Sequence, residues 1–151
     1  MLDRVNMTPW GGDLQSKNFW VGGEPGVGKT KWAHSIDPEH TLRKNQNKWW
    51  SGWNQNVKVI VIDDWDPQTK GINSYLKQWA DRYPFTAEIK GGSEIVNPGT
   101  YILVVTSNYS MNACFEGEDL TALKRRFTEW WIRDPSDIRL QGVPDVSELM
   151  T

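Results

Sequence analysis

Three stretches of nearly unbroken apolar residues punctuate the chain: Phe19-Trp20-Val21, Val57-Lys58-Val59-Ile60-Val61-Ile62 and Tyr101-Ile102-Leu103-Val104-Val105. Runs this short and this rich in β-branched and aromatic side chains predict strands, and their lack of alternation predicts strands covered on both faces, as in a parallel sheet. Between them the hydrophobic period lengthens. Trp32, Ala33 and Ile36 predict a helix behind the first strand, and Ile72, Tyr75, Leu76 and Trp79 predict another over about 72–80. Asp81-Arg82-Tyr83-Pro84 closes that helix, because the residue before a proline is pushed out of helical geometry. Phe85 to Ile89 and Glu94 to Val96 flank Lys90-Gly91-Gly92-Ser93, the signature of a β-hairpin. A short strand at Thr41-Leu42-Arg43, a helix around Leu120 to Arg125 and a strand from Thr128 to Ile132 complete the pattern. Strands alternating with helices define an α/β domain with a mainly parallel central sheet, expected over residues 18–132. Residues 1–17 read as a polar linker or arm, and residues 133–151 as a C-terminal tail.

The chemistry begins directly after the first strand. Gly23-Glu24-Pro25-Gly26-Val27-Gly28-Lys29-Thr30 fits the phosphate-loop pattern G-x-x-x-x-G-K-[ST] at every fixed position, between a predicted strand and a predicted helix. Glycines let backbone N–H groups curl inward around an anion, and the start of the helix adds partial positive charge. Lys29 is expected to neutralise the β- and γ-phosphates of a nucleotide, and the Thr30 hydroxyl to ligate Mg²⁺. The second apolar strand ends in Asp63-Asp64. Asp63 is assigned to the Mg²⁺ shell and Asp64 to the attacking water, an order that can be reversed. The third strand ends in Thr106-Ser107-Asn108, and the Asn108 amide can both donate to a phosphate and accept from a water. Lys124-Arg125-Arg126 reads either as a solvated run closing a helix or as the source of an arginine finger for a neighbouring subunit, with Arg125 and Arg126 indistinguishable.

Composition narrows this little. At 151 residues, 24% of them charged and 38% hydrophobic, the chain suits one globular domain. A net charge of -2 argues against bulk polybasic binding of nucleic acid while leaving room for a local basic site. The single cysteine, Cys114, excludes an internal disulfide and a Cys-rich zinc site. No apolar run reaches membrane-spanning length and no signal-peptide core opens the chain, so a soluble intracellular protein is expected. Of the tryptophans, Trp49, Trp50 and Trp53 are expected in packing or subunit contacts rather than base stacking. His34 and His40 read as structural or surface residues.

Taken in order, Gly23–Thr30, Val59–Asp64, the Lys90-Gly91-Gly92 hairpin and Ile102–Asn108 resemble the superfamily 3 helicase domain of viral replication-initiator (Rep) proteins, above all those of circoviruses and related small circular single-stranded DNA viruses. Asn47-Lys48-Trp49-Trp50 and Asp81-Arg82-Tyr83-Pro84 share the likeness. The resemblance implies that Gly23, Gly26, Gly28, Lys29 and Thr30 are Walker A positions, with Glu24, Pro25 and Val27 between them on the nucleotide-binding loop. It also implies that Asp63 and Asp64 are the Walker B acids, Asn108 the motif C asparagine, and Arg125 or Arg126 the arginine finger. Lys90, with Gly91 and Gly92, falls on the DNA-facing loop called motif B′. The family works with ATP and Mg²⁺ as rings, usually homo-hexamers, around single-stranded DNA, unwinding 3′-to-5′ during rolling-circle replication. Residence in the host nucleus is a further implication. The residues before Phe19 hold no histidine or tyrosine, so the chain looks like an isolated helicase domain without a nicking domain.

Two other readings share the phosphate loop. A small-molecule phosphotransferase of the nucleoside-kinase kind would use Asp81-Arg82-Tyr83 or Lys124–Arg126 as an acceptor clamp, but explains neither the hairpin nor Asn108. A nucleotide-gated ring-assembly module would bind ATP without unwinding, and would have little use for the acids Asp63 and Asp64.

Overall fold

The apolar stretches form the middle of one parallel sheet in the computed structural model, which describes residues 5–69 and 71–151. Residues 1–4, the start of the expected arm, and Lys70 lie outside the described residues. The chain runs β1 (Asn18–Gly23), α1 (Lys29–Ser35), β2 (Thr41–Arg43), β3 (Val59–Trp65), α2 (Asn73–Trp79), β4 (Phe85–Ile89), β5 (Gly92–Val96), β6 (Ile102–Ser107), α3 (Met111–Cys114), α4 (Gly117–Arg126), β7 (Thr128–Ile132) and α5 (Pro135–Leu140). Five strands pair in the order β2-β3-β6-β1-β7, all parallel, while β4 and β5 form the expected antiparallel hairpin around a Lys90-Gly91 turn.

Both faces of the sheet are buried, which explains the unbroken hydrophobicity of its central strands. Trp20, Ile60, Ile62, Leu103 and Val105 face one way, against α2, the hairpin, Trp50 and Phe127. Phe19, Val21, Val59, Val61, Ile102 and Val104 face the other, against Trp32 and Ala33 of α1. The pairing keeps these sets together, with Phe19 beside Val104 and Ile60 beside Leu103. Trp50 anchors the hairpin layer, its ring 5.4 Å from Phe85, 5.7 Å from Trp79 and 5.9 Å from Tyr101 between centroids. Cys114 is half-buried and unpaired, and burial pushes its thiol up to about 11.

The described residues toward both ends carry more structure than their composition suggests. Beyond Arg133, α5 and a 3-10 turn at Val146–Glu148 follow, and Ile138 and Leu149 are buried against the α1 face of the sheet. Met150 N donates to Gly99 O at 2.9 Å. Single apolar residues spaced this widely carry no periodic signal. At the other end, Trp10 N donates to Arg82 O at 2.9 Å and the Arg82 guanidinium returns a 2.7 Å bond to Trp10 O. Asn97 Nδ2 holds Asn6 O and Thr8 O at 2.5 and 2.8 Å.

Lys17, at the foot of β1, is 1% exposed, with its amine 3.2 Å from Asn18 Oδ1 and 5.3 Å from the Tyr101 ring centroid. Burial lowers its pKa to about 7, against a smaller opposing pull from Asp81. Below pH 7 native and unfolded chains both carry this charge, and the full cost of burying it is present. Above about 7 the native chain sheds the proton, while the unfolded chain keeps it toward the ordinary value of 10.5. Stability therefore rises across that window. Urea unfolding is expected to show stability climbing from pH 7 to pH 9, less steeply in Lys17→Met; an unchanged slope in the variant would refute the buried-charge account.

Candidate nucleotide site

In a parallel sheet the strand ends that lie together are the carboxyl ends, where loops meet in a crevice. Here β6 lies between β1 and β3, so Asn108 emerges between the loop that follows β1 and the acids that end β3. Pro25, Gly26, Gly28, Lys29, Thr30, Lys31, Asp64 and Asn108 line an open pocket of about 310 Å³ there. The loop has the shape of an anion cradle. Gly26 and Gly28 sit at φ 85° and 87°, the left-handed region that favours glycine, and a Cβ built on either would meet no atom within 4 Å. Gly23 is constrained differently: a Cβ there would collide with the carbonyl oxygen of Ile132 on β7.

Lys29, 6% exposed, turns its amine onto the loop, donating to Gly23 O at 2.5 Å, Glu24 O at 2.7 Å and Asn108 Oδ1 at 3.1 Å. Burial pushes its pKa below the ordinary lysine value, and the Asp64 carboxylate pulls it back up. The Thr30 hydroxyl donates to Asp63 Oδ1 at 3.0 Å, and the buried Thr106 hydroxyl donates to the same oxygen at 2.9 Å. Asp63 Oδ2 faces Arg43 Nε at 3.2 Å and His34 Nε2 at 3.4 Å. A hydroxyl and a carboxylate meeting at one point are oxygen donors suited to a hard divalent cation bound together with nucleotide phosphates. The open cradle, the lysine and this oxygen pair fit a metal-nucleotide.

Asp64 is exposed, lines the pocket and is the one non-glycine residue at positive φ (60°) among the described residues. β3 bulges between Ile62 and Trp65, which turns Asp64 away from the ladder, and Asp64 N donates to Thr106 Oγ1 at 3.2 Å. Sequence reading missed Thr106, Arg43 and His34 as neighbours of the acids. Thr106 lies two residues before Asn108, where its hydroxyl was a legible signal, but the approach of Arg43 and His34 to Asp63 follows from pairing and packing that no local pattern announces.

The remaining expected residues lie outside this pocket. Lys90, Gly91 and Gly92 are exposed around the hairpin turn. Arg125 and Arg126 end α4 just before β7, at the amino edge of the sheet, the edge opposite the phosphate loop. The two arginines differ: Arg126 pairs with Asp81 Oδ2 at 3.0 Å and donates to Ala122 O, whereas Arg125 is exposed and makes no ion pair or side-chain hydrogen bond among the described residues.

Residues 19–109 match the RNA helicase family. The chain is similar to the replication-associated protein of goose circovirus, 34% identical over 117 residues that make up 75% of this chain and 37% of the relative. It is also similar to that of porcine circovirus 2, 46% identical over 86 residues (54% and 26%), and that of pigeon circovirus, 30% identical over 140 residues (88% and 40%). The chain thus belongs to this helicase family, as a superfamily 3 helicase domain of the circovirus Rep kind. It spans between 26% and 40% of the length of these relatives. The family is a nucleotide-binding one, and none of the helices among the described residues is long and apolar enough to cross a membrane.

Lys29→Ala is expected to weaken binding of a fluorescent ATP analogue at least about tenfold, since one charge-assisted phosphate contact is lost. Titration of both proteins checks this, and equal affinities would remove Lys29 from the site.

Proposed function

We propose that this domain hydrolyses ATP with Mg²⁺ at sites shared between neighbouring copies in a ring, of six by family likeness, and uses the energy to move along single-stranded DNA in rolling-circle replication of a viral genome. The 3′-to-5′ direction follows the family resemblance. The observation that carries the reading is the gathering of Lys29, Thr30, Asp64 and Asn108 around one open pocket, with Asp63 bonded to Thr30. When bound, Mg²⁺ neutralises phosphate charge, and Thr30 and Asp63 are the residues that would hold it. Lys29 would neutralise the β- and γ-phosphates, Asp64 would accept the proton of the attacking water, and Asn108 would orient that water against the terminal phosphate.

This reaction also uses a cation over the transferred phosphoryl group from the side away from the loop, and among the described residues the cations that line the pocket, Lys29 and Lys31, both belong to the helix that follows the loop. Arg125 stands at the far edge of its own sheet, beyond the five residues of β7, a span of roughly 17 Å at strand rise. It is therefore suited to the pocket of an adjacent copy rather than its own. Arg126, held by Asp81, is suited to fixing α4. Lys90 on the exposed hairpin turn offers one cation per copy, and a ring multiplies a weak contact with a phosphate backbone into useful affinity.

ATP turnover measured with and without oligothymidylate tests this reading. Stimulation by the oligonucleotide is expected, and Lys90→Ala is expected to keep the basal rate while losing most of the stimulation. Stimulation intact in the variant would remove Lys90 from the mechanism. Phosphorylated nucleoside as product, without response to DNA, would support the phosphotransferase reading instead.

A further inference from the structure

The segment after β2 includes Asn47-Lys48-Trp49-Trp50, one of the stretches that carry the family likeness. It is tightly built. Lys44 N donates to Val61 O at 2.8 Å, prolonging the pairing of β2 with β3. The Lys44 amine, on a residue 3% exposed, turns under the segment and donates to Asn47 O at 2.7 Å and Trp49 O at 2.8 Å, lying 4.2 Å from the Trp79 ring centroid. At its far end Trp50 N donates to Glu88 O on β4 at 2.9 Å, and Lys48 lies 3.5 Å from the Glu88 carboxylate.

From this clamped segment Gln46 reaches the acids. Its Nε2 donates to Asp63 O at 2.6 Å, while its Oε1 accepts from Thr69 Oγ1 at 2.7 Å, so the amide is fixed in direction. Asp63 O and Asp64 N belong to one peptide group. Gln46 holds its carbonyl end and Thr106 holds its N–H end, at 2.6 and 3.2 Å. The plane of that peptide sets the φ of Asp64, the residue in the left-handed region. Freed from either partner, the peptide can rotate and carry the Asp64 carboxylate away from its place on the pocket wall.

We propose that Gln46 is a positioning residue for the acid pair: its amide, braced by Thr69, locks the Asp63–Asp64 peptide and so aims Asp64 into the nucleotide pocket. The segment that carries Gln46 is hydrogen-bonded to β4, so the hairpin strand and the acid pair share one support. The kinetic part of this inference rests on the proposed role of Asp64 in hydrolysis; the structural part does not.

Amide hydrogen exchange on the nucleotide-free protein tests the structural part. In Gln46→Met, which keeps length and removes the donor, exchange at the Asp64 amide is expected to accelerate about tenfold, the worth of one hydrogen bond, with the Leu103 and Val105 amides unchanged. Unchanged exchange at Asp64, or equal acceleration throughout β6, would overturn the proposal. Steady-state ATP turnover tests the kinetic part: kcat is expected to fall about tenfold with KM within about twofold, the pattern of a group that matters after binding. Thr69→Val is expected to give a smaller loss that disappears in the Gln46→Met background, since both act through one amide. Additive losses, or a rise in KM alone, would overturn it. Absence of ATP turnover in the unaltered protein would instead refute the proposed function, leaving the exchange result to decide the role of Gln46 by itself.

Discussion

One oxygen atom joins three elements of this domain. Asp63 Oδ1, at the end of β3, accepts from Thr30 at the start of α1 and from Thr106 on β6. The phosphate loop, the acid strand and the strand leading to Asn108 are thereby tied at one point, and the pocket wall depends on their mutual placement. The insertion of β6 between β1 and β3 makes this possible, because a shared carboxyl edge brings the three strand ends together. The hydrophobic packing on both faces of the sheet holds that edge in register. The carboxylate itself is 6% exposed, and it is matched by hydroxyl donors and by the approach of Arg43 and His34, as a buried charge requires.

Much of this was legible in the sequence because the chemistry is local. Gly23 to Thr30 carries its strand, loop and helix within a few residues, and Asp63, Asp64 and Asn108 sit directly at the ends of strands that their apolar runs announce. Less local features were hidden. The ten tryptophans could not be sorted by composition, yet Trp20, Trp50, Trp65 and Trp79 are fully buried while Trp131 is half exposed. Ile138 and Leu149 look like scattered residues of a polar tail, and their burial arises only when that segment meets the α1 face of the sheet. Arg125 and Arg126 are adjacent and alike in sequence; the helix turns one toward Asp81 and leaves the other to solvent. Gln46 had no signal at all, since its contact with Asp63 depends on how β2 hands the chain over to the segment beyond it.

The placement of the arginines bears on how such a domain can work. A pocket lined by Lys29, Lys31, Asp64 and Asn108 at one edge, with the exposed Arg125 at the other, would suit the proposed head-to-tail arrangement of copies, and such contacts close into rings when the rotation allows. Hydrolysis would then depend on contact between copies, and the hairpins, one per copy, would respond to the state of the interfaces between them.

Mixing two variants that are each expected to be inactive alone tests the proposed shared site most directly. Lys29→Ala chains keep Arg125 intact, and Arg125→Ala chains keep the phosphate loop intact. If the site is built from two copies, an equal mixture contains complete interfaces, and ATP turnover recovers to roughly a quarter of the unaltered rate under random assembly. Turnover in the mixture no greater than the average of the two variants alone would contradict the account.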